Sequence, residues 1–275
     1  MLSLENNRIE KKFAELKSTN QKGLICYVLG GYPNAGTSEK IISSIVDGGA
    51  DIIEIGIPFS DPIADGPTIQ EASFRALKKG INPDICLDIV RATRKRYPEL
   101  PIVIMTYSNI LEKNGFRKFM EMAKEAGTDG FILPDMTVEE SENYLQYSKD
   151  LGLASIFLVA PNTSNLRIKN TLAVSTGFVY VVSVYGTTGM RNSFNKYTLT
   201  AIKNIKKLGS KKNISVGFGI STPQHVKLMS NNGADAVIVG SAIVKMIDGN
   251  IGDSIIQLQD NLRNYVKSLK AASTI

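Results

Sequence analysis

Short apolar runs alternate with amphipathic stretches along almost the whole chain. The runs are four to nine residues long and are rich in Ile, Val, Phe and Tyr, as is typical of buried strands. We predict eight strands, beginning near Gly23, Asp51, Pro101, Asp129, Leu153, Gly177, Asn213 and Ala234. The segments between them, such as "DICLDIVRATRKRY" and "FRKFMEMAKEAG", have apolar residues at helical spacing.

The order of these elements predicts an α/β fold, a (β/α)8 TIM barrel. An amphipathic N-terminal stretch, with Leu4, Ile9, Phe13 and Leu16 on one side, predicts an extra helix before the first strand. An open doubly wound sheet usually has GxGxxG after its first strand, and "LGGYP" does not match. Because no linker or low-complexity tract interrupts the pattern, we expect residues 1–275 to form one domain.

Three segments of the chain resemble one another. They are "GGADIIEIGIP", "AGTDGFILPD" and "NGADAVIVGSA". Each has a glycine suited to ending a helix, then a small residue, an aspartate and a short apolar strand. The repetition supports a fold built from similar strand–helix units.

Glu54 interrupts the apolar run of the second predicted strand. Side chains alternate along a strand, so Ile53, Ile55 and Ile57 share one face and Glu54 and Gly56 the other. The isoleucines suit the layer between sheet and helices, which places Glu54 inside the barrel. A buried carboxylate is costly unless it is paired, and no partner is evident near its level. We therefore expect an acid/base group with a raised pKa, the alternative being a buried ion pair.

The loop after this strand, "PFSDPIADGPT", carries Asp61 and Asp65 among three prolines. Active sites of such barrels lie at the carboxyl ends of the strands. Aspartates in loops are often only turn formers, and for Asp61 that alternative stays open. Asp65 precedes a predicted helix, where its loop can fold over the barrel mouth.

Glycines end the seventh and eighth predicted strands, in "VGFGIS" and "IVGSAI". Ser221 and Ser241 follow them as expected helix N-caps. Glycines let backbone N–H groups approach an anion, and a helix N-terminus favours negative charge. Two such loops on the last two strands predict a phosphate site, although tight turns alone are the simpler alternative.

The long loop "SVYGTTGMRNSFNKY" after the sixth predicted strand has glycines on both sides of two threonines. This pattern is typical of a mobile lid. An ordinary exposed connection explains the pattern equally well.

Composition narrows the possible functions. The net charge of +6 comes from scattered lysines without interleaved aromatic residues, which does not favour nucleic-acid binding. No apolar run approaches the roughly 20 residues that span a bilayer, and the N-terminus lacks a signal-peptide pattern. We expect a cytoplasmic protein without a membrane partner, whose two cysteines, Cys26 and Cys86, are buried and reduced.

The residues that are missing also restrict the chemistry. The single histidine, His225, lies in a predicted helix, so neither a histidine zinc site nor a nucleophile triad can be assembled. No lysine falls at a strand end, which argues against Schiff-base chemistry. Carboxylate acid–base chemistry on a phosphorylated small molecule, without a metal or organic cofactor, is what we expect.

The segment "IEIGIPFSDPIADGPTIQEA" closely resembles the signature of the tryptophan synthase α chain family. The similarity covers essentially the whole chain, including "GGYP", "MTYSN", "APNTS", "SVYGTTG", "GFGIS" and "VGSAI". The resemblance implies a lyase that cleaves indole-3-glycerol phosphate into indole and glyceraldehyde 3-phosphate, in tryptophan biosynthesis. It also implies a β-subunit partner in an α2β2 assembly, with pyridoxal phosphate only in that partner.

By this resemblance, Glu54 matches the general acid/base and Asp65 the carboxylate that stabilises positive charge on the indole nitrogen. Tyr180 matches an active-site tyrosine, and Thr188 the lid threonine that meets Asp65. The phosphate-binding positions are Gly189, Gly217, Gly219, Gly240 and Ser241. The indole-pocket positions are Tyr27, Met105, Tyr107, Ile132 and Phe218. Asp61 and Pro62 fall on the loop that faces the β subunit, and no metal ligand is implied.

Leu29, Thr137 and the pair Val184–Tyr185 depart from the family pattern, away from both carboxylates. Three alternative functions account for the sequence to different degrees. A sugar-phosphate isomerase would explain the glycine loops but not Glu54 with Asp65. A non-catalytic activator of a β subunit would have no reason to retain a costly buried carboxylate. A free-standing lyase that releases indole remains compatible with the sequence.

Overall fold

The computed structural model describes residues 7–183, 196–208, 211–252 and 254–273. Within them, parallel strands form a single sheet and helices pack around it. The strands are β1 (Gly23–Leu29), β2 (Ile52–Gly56), β3 (Ile102–Met105), β4 (Gly130–Ile132), β5 (Ala154–Ile156), β6 (Leu158–Val159), β7 (Phe178–Val182), β8 (Asn213–Gly217) and β9 (Ala236–Val239).

The helices follow the strands in the expected alternation, and in the described residues two of the connections, β2 to β3 and β3 to β4, hold two α-helices. They are α1 (Arg8–Ser18), α2 (Ala35–Asp47), α3 (Pro67–Lys78), α4 (Pro83–Arg96), α5 (Ser108–Lys113), α6 (Phe116–Ala126), α7 (Glu142–Leu151), α8 (Asn165–Val174), α9 (Lys196–Lys207), α10 (Pro223–Asn231), α11 (Ser241–Gly249) and α12 (Ile255–Ala271). A 3₁₀ turn, Val138–Glu140, precedes α7.

The sheet closes into a barrel at the stretch that holds β5 and β6. The strand order is β5-β4-β3-β2-β1-β9-β8-β7-β6. Because β5 and β6 are two halves of one stretch interrupted at Phe157, this stretch pairs with β4 through β5 and with β7 through β6. The Tyr180 N–H also donates to the Phe157 carbonyl at 3.0 Å. The predicted (β/α)8 barrel is confirmed, and only the interruption of this strand was not anticipated.

The three repeated aspartates share one structural role. Each lies just before its strand and accepts a hydrogen bond from a backbone N–H of a neighbouring strand. The pairs are Asp51 with Leu24, Asp129 with Ile102, and Asp235 with Ile214, at 2.7, 2.9 and 2.9 Å. The side chains thus satisfy N–H groups at the amino ends of the strands, where barrels have stabilising rather than catalytic residues.

Cations balance these carboxylates at the same end of the barrel. Asp129, which is 3% exposed as a side chain, contacts Arg94 at 2.7 Å and Arg8 at 3.0 Å. Lys270 contacts Asp51 at 2.7 Å. A buried carboxylate with charged partners and backbone donors is well compensated, so these pairs hold the helices onto the barrel bottom.

Helix α1 covers the bottom of the barrel, as predicted for the extra N-terminal helix. Asn7 is its N-cap and accepts from the Ile9 N–H at 2.9 Å. Ile9, Phe13 and Leu16 are buried, and the Phe13 ring lies 5.9 Å from that of Phe178. Leu4, the remaining residue of the predicted apolar face, lies outside the described residues.

Both cysteines are buried and free, as expected: Cys26 in β1 and Cys86 in α4. Among the described residues, no helix has the length and apolar character needed to cross a membrane.

Candidate functional site

Glu54 lies inside the barrel on β2, opposite Tyr27 of β1 and Val103 of β3. It is 1% exposed, as the alternation along its strand predicts. Within the described residues, its Oε2 atom has no hydrogen-bond partner, and Glu54 forms no ion pair. Among the described residues, the buried ion pair given as the alternative is therefore not formed. An unpaired buried carboxyl has an unusually strong preference for its neutral form.

Asp65 is held at the barrel mouth by hydrogen bonds from both sides of its loop. Its N–H donates to the Pro62 carbonyl at 3.0 Å, and its carbonyl accepts from the Gln70 side chain at 2.9 Å. Its Oδ2 accepts from the Tyr107 hydroxyl at 3.1 Å. The same hydroxyl accepts from the Ala64 N–H at 3.0 Å, so Tyr107 fixes both the loop and the carboxylate.

The two carboxyl groups titrate in different ranges. Burial, and secondarily the charge of Asp65, raises the pKa of Glu54 from its ordinary 4.5 to about 8. Burial raises the pKa of Asp65 from 3.8 to about 6, against the hydrogen bond from Tyr107, which lowers it. At pH 7 Glu54 is mostly a neutral acid and Asp65 mostly an anion. Such a separation allows one carboxyl to donate a proton while the other supplies negative charge.

Two tyrosines, Tyr27 and Tyr180, line the same cavity. A Cβ added at Gly56 would overlap the Tyr27 ring, and one at Gly217 would overlap the Tyr180 ring. The hydroxyl ends of both tyrosine rings therefore lie close against strand backbone, and glycine is required beneath each of them. Their rings, with Met105 and Phe218, give the cavity apolar and aromatic walls of the kind that bind a planar ring. Of the described residues, the cavity is lined by Tyr27, Glu54, Asp65, Gly66, Ile69, Met105, Tyr180, Phe218, Gly219, Ile220, Ile238, Gly240 and Ser241.

The far end of the cavity is formed by Gly219, Gly240 and Ser241. Ser241 begins helix α11, and among the described residues the N–H groups of Ser241 and Ala242 have no backbone acceptor, whereas that of Ile243 donates to the Gly240 carbonyl at 2.8 Å. The N-cap Gly240 makes no side-chain cap, and Gly240 and Ser241 line the cavity, so the positive end of the helix dipole lies at the cavity. This arrangement suits a phosphate group.

Both N-cap predictions at this end were wrong. Gly240, not Ser241, is the N-cap of α11, and Ser241 is the first helical residue. Thr222, not Ser221, is the N-cap of α10 and accepts from the His225 N–H at 3.2 Å. A serine at a strand–helix junction is a good capping residue by type, but the path of the chain decides which residue stands at the boundary.

Not every residue proposed for the site reaches the cavity. Gly217 lies beneath Tyr180, Tyr107 stands behind Asp65, and Ile132 is buried in β4. On the loop after β2, Asp61 is exposed whereas Pro62 is buried. Thr188 and Gly189, like the pair Val184–Tyr185, lie outside the described residues.

Sequence reasoning missed four of the lining residues: Gly66, Ile69, Ile220 and Ile238. Two of them carried a usable signal. Ile238 lies two residues before Gly240, so the alternation along the strand places both on the inner face of the barrel. Gly66 directly follows Asp65. Ile69 and Ile220 depend on how a helix start and a turn are oriented, which no local pattern indicates.

Comparison with known proteins agrees with this geometry. The sequence model of the family described as "Tryptophan synthase alpha chain" matches residues 13–274. The tryptophan synthase alpha chain of Methanocaldococcus jannaschii is 44% identical over 247 residues, covering 90% of this chain and 87% of the relative. That of Methanoregula boonei is 42% identical, covering 97% and 98%.

Solved structures with the same fold include the tryptophan synthase subunit alpha of Legionella pneumophila, with a TM-score of 0.86 and 34% identity over 97% of this chain and 98% of that one. A tryptophan synthase chain from M. tuberculosis has a TM-score of 0.86 and 30% identity, covering 97% and 99%. The chain described here belongs to the tryptophan synthase alpha chain family.

Proposed function

We propose that the cavity at the barrel mouth cleaves indole-3-glycerol phosphate to indole and glyceraldehyde 3-phosphate, with Glu54 and Asp65 as the catalytic pair. The observation that carries this assignment is the pairing of a neutral Glu54 with an anionic Asp65 in one aromatic cavity. The reaction needs one group that donates a proton to carbon and another that supports positive charge, and the two pKa values fit those tasks.

The reaction proceeds in two proton transfers through Glu54. Neutral Glu54 first protonates the indole ring carbon that carries the glycerol chain, which places positive charge on the ring nitrogen. The resulting Glu54 carboxylate then accepts the proton of the adjacent glycerol hydroxyl. The hydroxyl oxygen becomes the aldehyde oxygen, the carbon–carbon bond breaks, and its electron pair restores the indole ring. Glu54 ends the cycle protonated, so no net proton is consumed.

Asp65 stabilises the charged intermediate in this scheme. A carboxylate that remains anionic while the ring nitrogen is positive lowers the energy of the transition state, and the effect is large because the surroundings are poor in water. The Tyr107 hydroxyl supports this role, since its hydrogen bond favours the charged form of Asp65. We assign Thr188 a further contact with Asp65 by family resemblance alone.

The remaining cavity residues bind the two ends of the substrate. Tyr27, Met105, Tyr180 and Phe218 enclose the indole ring, and Tyr107 and Ile132 support that wall from behind. The phosphate lies among Gly219, Gly240 and Ser241, and Gly217 allows Tyr180 its position. We assign Gly189 to the same site by family resemblance alone. All of the proposed chemistry uses groups of this chain, without a metal or an organic cofactor.

We further propose that a β subunit receives the indole in an α2β2 assembly, where pyridoxal phosphate in the partner supports the later step of tryptophan synthesis. The loop carrying Asp61 and Pro62 faces that partner. In support, Ile63 beside them is 81% exposed and offers an apolar side chain for the partner to cover. The reaction belongs to amino-acid biosynthesis in the cytoplasm.

The test is the rate of indole release from indole-3-glycerol phosphate by the purified chain. Glu54→Gln and Asp65→Asn should each reduce kcat by at least about 10²-fold, because each loses a proton-transfer or charge role while keeping its shape. Asp84→Asn, which changes an exposed carboxylate on α4, is the matched control and should retain the rate.

The alternatives give different results in the same assay. Wild type that releases indole without forming a complex with a β subunit would be a free-standing lyase. Wild type that is inert alone and with a β subunit, yet raises the activity of that subunit, would be a non-catalytic activator, and the catalytic assignment would be rejected.

A further inference from the structure

Phe218 adopts a backbone conformation that side-chain-bearing residues rarely adopt. Its φ is +72°, and that of the following Gly219 is +71°. Among the described residues, Asn20 is the only other non-glycine residue with positive φ. Asparagine tolerates this region, whereas a bulky aromatic residue there is strained. Such strain persists only where the surroundings impose it, and it is concentrated at functional sites.

Ser183, the residue that follows β7, holds this conformation through two hydrogen bonds. Its N–H donates to the Gly217 carbonyl at 2.8 Å, and its hydroxyl donates to the Phe218 carbonyl. In a regular strand, successive carbonyls point to opposite sides. Because both carbonyls here turn towards the same residue, the chain must leave the extended conformation at Phe218. Ser183 is 4% exposed, so water does not readily replace its hydroxyl.

The orientation of the next N–H follows from peptide geometry. In a planar trans peptide, the carbonyl and the N–H point in opposite directions. The Phe218 carbonyl points towards β7, so the Gly219 N–H points away from β7, to the side of β8 where β9 lies. Gly240 and Ser241 follow β9 there, and all three residues line one cavity. Among the described residues, the Gly219 N–H has no hydrogen-bond acceptor.

We propose that Ser183 is a positioning residue for the phosphate end of the site: its hydroxyl holds the Phe218–Gly219 peptide so that the Gly219 N–H points at the substrate phosphate. The proposal rests on the proposed function, because it takes the cavity end at Gly219, Gly240 and Ser241 as the phosphate site. It assigns a residue without substrate contact to the recognition of one part of the substrate.

Packing of the Phe218 ring is the competing explanation for the strain. The ring lies edge-on to Tyr180, with 6.1 Å between centroids and an interplanar angle of 70°. If this contact alone held the backbone, removing the Ser183 hydroxyl would leave the turn unchanged. The two explanations therefore predict different phosphate affinities for the same variant.

The experiment measures two binding constants for each variant: that of inorganic phosphate, as a competitive inhibitor of indole release, and that of indole. Ser183→Ala should weaken phosphate binding about 10-fold, the value of one hydrogen bond to a charged group, and change indole binding less than about 2-fold. KM for indole-3-glycerol phosphate should rise more than kcat falls. Ser183→Thr keeps the hydroxyl and should restore phosphate binding.

Ser175→Ala is the matched control. Ser175 is fully buried just before the other end of β7, where its hydroxyl donates to the Thr171 carbonyl at 2.7 Å. This variant also loses a buried serine hydroxyl, but far from the phosphate end, so phosphate binding should not change. Equal losses in Ser183→Ala and Ser175→Ala would overturn the proposal, as would equal losses of phosphate and indole binding in Ser183→Ala.

A double variant tests whether the hydroxyl acts through the strained residue. Glycine adopts positive φ without strain, so in a Phe218→Gly background Ser183→Ala should weaken phosphate binding less than it does in wild type. An unreduced effect would show that Ser183 does not act through Phe218. Wild type that neither binds phosphate nor cleaves the substrate would instead reject the proposed function itself.

Discussion

Replacing Glu54 with Gln should make the protein more stable at alkaline pH while removing its activity. Burial raises the pKa of Glu54 from 4.5 to about 8, so between these values the folded protein retains a proton that the unfolded chain releases. The unfolded state is therefore favoured as pH rises through this range, and the free energy of unfolding of the wild type decreases. Glutamine has nearly the same shape and does not titrate, so the variant lacks this loss.

The size of the effect follows from the pKa change. Each pKa unit corresponds to about 1.4 kcal/mol, so a pKa raised from 4.5 to about 8 predicts a loss of up to about 5 kcal/mol. We expect the measured loss to be about 3 to 5 kcal/mol. The quantity to compare is the free energy of unfolding of Glu54→Gln minus that of wild type. This difference should be about 3 to 5 kcal/mol larger at pH 8 than at pH 4.5.

Urea unfolding at several pH values between 4.5 and 9 measures this difference directly. Glu112→Gln, which changes an exposed glutamate on α5, is the control and should follow the wild-type curve. If the stabilities of wild type and Glu54→Gln instead change in parallel with pH, Glu54 does not retain its proton on folding. The argument for a neutral acid at pH 7 would then be refuted.

Three further predictions follow from the same structure. The pH profile of kcat/KM should be bell-shaped, with limbs near 6 from Asp65 and near 8 from Glu54; a profile flat from pH 5 to 9 would contradict this. In wild type, the hydrogen bond from Tyr107 lowers the pKa of Asp65, so Tyr107→Phe should raise that pKa and move the acid limb to higher pH; an unmoved limb would show that the bond has no such effect. Asp129→Asn should cost about 3 kcal/mol of stability in urea unfolding, because it leaves Arg94 without its buried partner, and kcat of the folded enzyme should be retained; a stability equal to wild type would contradict the role of this pair.

The barrel could be predicted because its apolar runs and amphipathic helices repeat with regular spacing. The repeated aspartates were visible as a pattern, but their role was not. Asp129 accepts from the Ile102 N–H of a neighbouring strand, and such pairing between strands appears only when the sheet register is known. The interruption at Phe157 was hidden for the same reason: β5 pairs with β4 and β6 pairs with β7, and this division appears only in the sheet register.

In the site, residues within regular strands were the most predictable. The inward direction of Glu54 follows from strand parity, and its lack of a partner among the described residues follows from the apolar residues around it. The contact between Asp65 and Tyr107 joins residues 42 positions apart, and each lies in a loop, where no periodicity indicates direction. The strain at Phe218 was equally hidden, because a phenylalanine ordinarily indicates an extended strand and tertiary contacts override that preference here.

The most direct test of the account is the titration of the Glu54 carboxyl itself. In protein labelled with ¹³C at the side-chain carboxyls of glutamate, NMR reports each ionisation separately, and the Glu54→Gln spectrum identifies the Glu54 signal by its absence. We expect that signal to titrate near pH 8, while Asp65 in aspartate-labelled protein titrates near pH 6. A Glu54 signal that titrates near 4.5 would contradict the central claim, because Glu54 would then carry no proton to donate at pH 7.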